Sequence, residues 1–91
     1  MIDTKVCVLA GKVGNAEYSL LEKYAREGCF IALIIKNKEL GRMVKEELER
    51  LYDIGVFFFH GDVEKEEDKD IFLTAVETMF GRTDYMIWYE N

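Results

Sequence analysis

Four short apolar runs alternate with three longer stretches whose apolar residues recur every three or four positions. Residues 5–10 (KVCVLA) form the first run, and Gly11, Gly14 and Asn15 interrupt it. A run of that length bounded by turn residues predicts a buried strand. Across residues 16–27, Leu20, Leu21, Tyr24 and Ala25 fall at helical spacing, and Gly28 stands where a helix C-terminal glycine belongs. Residues 30–35 (FIALII) are apolar without alternation, which implies burial on both faces, as in a parallel sheet. Leu40, Met43, Val44, Leu48 and Leu51 mark an amphipathic second helix, and Gly55 ends the connection that follows it. Residues 56–59 (VFFF) predict a third strand, closed by His60-Gly61-Asp62. The charge run 64–70 (EKEEDKD) reads as the solvated first turn of a third helix, where carboxylates suit the positive end of the helix dipole. Ile71, Phe72, Ala75, Val76, Met79 and Phe80 continue its apolar face up to Gly81. Residues 85–89 (YMIWY) predict a fourth strand.

The order is therefore β-α-β-α-β-α-β. Strands alternating with helices imply parallel pairing through right-handed crossovers, and the doubly wound rule sets the sheet order 3-2-1-4. The predicted fold class is α/β: a single domain over residues 1–91 with a four-stranded parallel sheet and three helices. The length allows one domain, and seven glycines without a proline favour regular elements joined by glycine turns.

The net charge of −6 argues against a nucleic-acid backbone or an anionic membrane surface as partner, because both require clustered Lys and Arg. It leaves a nucleotide open, since backbone N–H groups and one or two local cations suffice to hold one. Cys7 and Cys29 form no CxxC and sit among apolar residues, so both are expected as buried reduced thiols. The N-terminal residues show no basic segment before a long apolar run, and no stretch approaches the ~20 apolar residues of a membrane span. The expected location is the cytoplasm.

Chemistry concentrates at the strand ends. In A-G-K-V-G-N-A-E (residues 10–17), Gly11, Lys12, Gly14 and Asn15 form a glycine-bearing turn between the first strand and first helix. Such a turn lets the backbone approach a pyrophosphate closely and offers it the N–H groups of the helix N-terminus. Lys36 and Asn37 close the second strand, where folds of this kind contact the adenosine ribose. Asp62 and Val63 follow the third strand, where a carboxylate can accept from an adenine amino group. His60, the only histidine, reads as a satisfied strand-end residue, because no second histidine or cysteine cluster supports a metal.

These segments, in order and at these spacings, resemble the short-chain dehydrogenase/reductase (SDR) family over almost the whole chain. They are V-x-V-x-A-G in the first strand and turn, A-R-E-G before the second strand, K-N after it, G-D-V after the third and F-G-R-T-D before the fourth. The resemblance implies the first half of a Rossmann-type NAD(P)-binding domain. Counting back from Gly28 aligns Gly11 with the first glycine of the family's T-G-x-x-x-G-x-G turn. The other two glycines become Asn15 and Glu17, and the threonine becomes Ala10. Glu17 then puts a carboxylate near the pyrophosphate position. Where an NAD-binding relative would carry an acidic residue, Ile35 stands, followed by Lys36, which favours NADP over NAD as cofactor.

The family's N-N-A-G after the fourth strand is replaced by Trp88-Tyr89-Glu90-Asn91, and Trp88 is expected to fill the nucleoside region. Catalysis in the family uses a tyrosine with a lysine four residues on and a serine. The one serine here is Ser19, in the first helix, and no tyrosine has that lysine. Hydride transfer by the isolated chain is not expected, and no catalytic residue is assigned.

With nothing beyond it, the fourth strand would be an apolar edge carrying Tyr85, Met86, Ile87, Trp88 and Tyr89. An edge of this kind invites pairing with a copy of itself or another chain. Three readings remain open: a half domain with at most weak NADP(H) binding, an interaction or oligomerisation module with a degenerate site, and a fragment of a full oxidoreductase.

Overall fold

The computed structural model describes residues 3–89, with the backbone alone at Tyr89. The elements run β1 (Val6–Gly11), α1 (Asn15–Arg26), β2 (Phe30–Ile35), α2 (Lys38–Tyr52), β3 (Val56–His60), α3 (Glu66–Phe80) and β4 (Tyr85–Tyr89). The sheet is parallel, in the order β3-β2-β1-β4. Architecture and strand order are those expected. β3 runs one residue further than its apolar run, because His60 pairs with Ile35 and so ends the strand instead of following it.

Strand side chains alternate between two layers. Cys7, Leu9, Ile31, Leu33 and Ile35 face Leu21 and Ala25 of α1 and Val44 and Leu48 of α2. Val6, Val8, Ala10, Ala32 and Ile34 face Phe72, Val76 and Phe80 of α3. β1 and β2 are thus buried on both faces, which explains their unbroken apolarity. Both cysteines are buried thiols, and burial, reinforced by nearby Cys29, pushes Cys7 up to about 12.

The helix ends follow local rules. Gly28 adopts φ 84° and closes α1 with the bonds Gly28 N–H to Ala25 O (3.0 Å) and Cys29 N–H to Tyr24 O (3.1 Å), a Schellman arrangement. Asn37 caps α2 by accepting from the Leu40 amide at 3.0 Å. α3 begins two residues into the charge run, with Glu66, Glu67 and Asp68 in its first turn. Among the described residues no group of His, Cys, Asp and Glu is arranged to hold a metal ion.

The helix stripes are narrower than the apolar spacing predicts. Met43, Leu51, Ile71 and Met79 are exposed. In α2 the buried positions are Gly41, Val44 and Leu48, and Met43 stands half a turn from Gly41. In α3, Ile71 and Met79 each precede a buried phenylalanine, about 100° away around the helix.

Candidate functional site

The carboxyl ends of β1, β2 and β3 and the N-termini of α1 and α2 surround an open cleft of about 590 Å³. Ligands of doubly wound sheets bind in this position, where crossovers leave the sheet in opposite directions. Here they diverge at β1, whose neighbours are β2 and β4. Gly11, Lys12, Gly14, Lys36, Asn37, Asp62 and Val63 all line the cleft. Val13, Ile34, Ile35 and Leu40 add apolar walls, and Glu17 and Glu64 add carboxylates.

Gly11 adopts φ 116°, a backbone conformation that disfavours any side chain, and it turns the chain out of β1 toward α1. Gly14 is the N-cap of α1, and its amide donates to Glu17 Oε1 at 2.8 Å. This is the reciprocal half of a capping box, with glutamate at the third helical position. A Cβ at Gly14 would lie 3.0 Å from that same oxygen. The turn is therefore drawn tight around the chain's own carboxylate.

The rear of the cleft is held by hydrogen bonds between strand ends. His60 Nε2 lies 3.0 Å from the Lys36 carbonyl, and the Gly61 amide donates to Ile35 O at 3.3 Å. Asp62 Oδ1 accepts from the Glu64 amide, and the Asp62 amide donates to Asp68 Oδ2, each at 2.9 Å. Lys36 Nζ stands 3.7 Å from Asp62 Oδ2 while its side chain remains 82% exposed, so the pair contributes little to stability. It does place a cation at the mouth of the cleft.

Two expectations need correction. Asn15 does not line the cleft. As the first residue of α1 it borders a smaller recess between α1 and α2, beside Tyr18, Met43 and Glu47. Trp88, expected to fill the nucleoside region, is not among the residues that line the cleft. It pairs in register with Ala10, whose side chain belongs to the α3 layer, and Lys69 of α3 lies 5.7 Å from its ring centre. Asn37 lines the cleft as expected, with its side-chain oxygen engaged as the α2 cap. Glu90 and Asn91, the end of the replaced N-N-A-G segment, lie outside the described residues.

The Gly14–Glu17 bond is the feature that residue types alone left unread. Its trace is the spacing G-x-x-E at a helix start, the mark of a capping box. Elsewhere, burial and then Glu47 push Tyr18 up to about 12, and a hydrogen bond to Glu22 raises Tyr52. A proton-donating tyrosine at neutral pH requires the opposite shift.

A half-length doubly wound sheet with its cleft at the strand ends defines a dinucleotide-binding class of fold. No protein-family model matches the chain. In sequence, the 12alpha-hydroxysteroid dehydrogenase of Clostridium sp. is 36% identical over 93 residues, covering 96% of this chain and 36% of that protein. The 11-beta-hydroxysteroid dehydrogenase-like 4A of Arabidopsis thaliana is 24% identical over 94% of this chain and 29% of its own length. In structure, L-sorbose reductase from Gluconobacter frateurii, complexed with NADPH and L-sorbose, superposes with a TM-score of 0.83 at 25% identity, over 93% of this chain and 32% of that one. NAD+-bound xylitol dehydrogenase gives 0.82 at 27% identity, over 90% and 31%. The chain's homologues are short-chain dehydrogenases/reductases, and it spans about a third of the length of the curated relatives it matches.

Proposed function

We propose that the chain is an NAD(P)-binding half domain of the short-chain dehydrogenase/reductase type that binds NADP(H) weakly and performs no hydride transfer by itself. The observation that carries this reading is the cleft, which gathers the β1–α1 turn, the end of β2 and the end of β3 around one volume. NADP(H) is favoured over NAD(H) because the β2 end offers Ile35, buried and without a carboxylate for the ribose hydroxyls, followed by the exposed Lys36.

Calorimetric titration with NADPH and NADH tests the reading. Binding with Kd of about 1 mM, a free energy of about −4 kcal/mol, is expected for NADPH, with NADH weaker. Absence of heat for both at several-fold higher concentration overturns it.

A second reading concerns β4, which among the described residues pairs with β1 alone. Met86 and Trp88 stand on the α3 side of the sheet, and they are 48% and 38% exposed. This favours association of the chain through β4 with a second copy or another protein. Light scattering coupled to size exclusion tests it, and a monomer at high micromolar concentration contradicts self-association.

A further inference from the structure

The strongest unexplained arrangement is the carboxylate inside the cleft. The first N–H groups of a helix have no intrahelical acceptors, and the helix dipole is positive at that end, so the N-terminus of α1 is suited to an anion. Here one of those donors, the Gly14 amide, is already satisfied by Glu17 at 2.8 Å. The satisfying group carries a full negative charge and lines the cleft. Asp62 and Glu64 add two more carboxylates, against the cations of Lys12 and Lys36. Lys36 itself faces Asp62 at 3.7 Å, which leaves its charge partly balanced within the protein. An anion seated on the Gly14 amide must displace Glu17 and then remain close to it. An uncharged group in the same cleft meets no such opposition.

We infer that Glu17 is an internal counter-anion that sets the charge class of the ligand. The cleft takes a nucleoside more readily than a nucleoside diphosphate, and the dinucleotide is held weakly because its phosphates compete with this side chain. The inference rests on the nucleotide reading of the cleft and supplies the reason for its weakness. Glu17 is a specificity-determining residue in this account, acting on the phosphates and not on the base.

Glu17→Gln separates charge from capping, because the amide oxygen can still accept from Gly14 while the negative charge is gone. Adenosine, ADP and NADPH are titrated into the wild-type chain and this variant, with thermal melts to confirm that both are folded. Removing one nearby charge is expected to tighten ADP and NADPH on the order of tenfold and to leave adenosine unchanged within about twofold. Glu17→Ala, which loses the cap as well, is expected to show the same selective tightening on a less stable chain. Equal ADP affinity in folded wild-type and Gln variant overturns the inference while leaving the nucleotide reading intact. Equal tightening of adenosine and ADP also overturns it, by showing a structural effect in place of a charge effect. Failure of every probe to bind any of these chains overturns the nucleotide reading and this inference with it.

Discussion

Asp84 and Val6 exchange two hydrogen bonds across 78 residues of sequence: the Val6 amide donates to Asp84 Oδ2 at 2.8 Å, and the Asp84 amide donates to the Val6 carbonyl at 2.9 Å. Arg82 Nε donates to the same carboxylate oxygen at 2.8 Å. The start of β4 is thereby fixed against the start of β1 before the ladder from Cys7↔Tyr85 begins. The Arg82 guanidinium, followed by the Val6 amide, holds the Asp84 carboxyl below its ordinary value of 3.8. A carboxylate with a lowered folded-state pKa stabilises the fold above its unfolded value and loses that contribution as pH falls through the lowered one. Stability is therefore expected to fall below about pH 4 from this group. Asp84→Asn is expected to lower the melting temperature at neutral pH and to flatten the acid limb, as read by urea denaturation across pH.

Gly41 admits the Phe58 ring against α2. A Cβ built at Gly41 would lie 2.1 Å from that ring, so Gly41→Ala forces the ring or the helix aside. A cost of about 1–3 kcal/mol is expected from overpacking, larger than the gain of about 0.5–1 kcal/mol in helix propensity. Pairing the change with Phe58→Leu is expected to recover part of the loss in a double-mutant cycle measured by denaturation.

The third helix is held by one narrow stripe. Phe72 is fully buried, with its ring about 6 Å from those of Phe57 and Phe59. Phe72→Ala is expected to cost about 3–5 kcal/mol. Ile71→Ser, one residue away on the exposed side, is expected to stay within about 0.5 kcal/mol. Equal effects at the two positions in equilibrium unfolding would contradict the assigned orientation of α3.

Asp53 ends α2 at φ 52°, the one non-glycine residue with positive φ among the described residues. Asp53→Gly is expected to raise stability by about 0.5–1 kcal/mol, since glycine carries no Cβ penalty in that conformation. A small rise in melting temperature, with no change in nucleotide affinity, is the expected result.

β1 and β2 were legible because strands buried on both faces are written as continuous apolar runs, as in FIALII. The helices were legible in extent and less so in orientation. Met43 and Ile71 fit the helical spacing as well as Val44 and Phe72 do, and apolar residues are common on protein surfaces. Gly41 was invisible as a packing position because its role is to leave room for Phe58. The cleft residues could be read because they are the turn residues that follow strands. The face on which Trp88 stands was not legible because it depends on register: pairing with Ala10 assigns it to the α3 side, and a shift of one residue would have reversed it. Glu17 lines the cleft from the first turn of α1, and its bond to Gly14 depends on a side-chain conformation that residue types do not specify.

The sheet order also sets a schedule for synthesis. β1 lies between β2 and β4, yet β2 follows it closely along the chain, whereas β4 is the last of the four strands to be made. A nascent chain can align β1, β2 and β3 while the opposite side of β1 remains bare. At ordinary elongation rates, the stretch from His60 to Tyr89 takes a few seconds to emerge. Throughout that interval, Val6–Gly11 offers unpaired backbone groups from what becomes an inner strand. Among the described residues, β4 joins the sheet last, beside the strand that was made first, so slow translation would lengthen the period in which a foreign strand could take the place of β4.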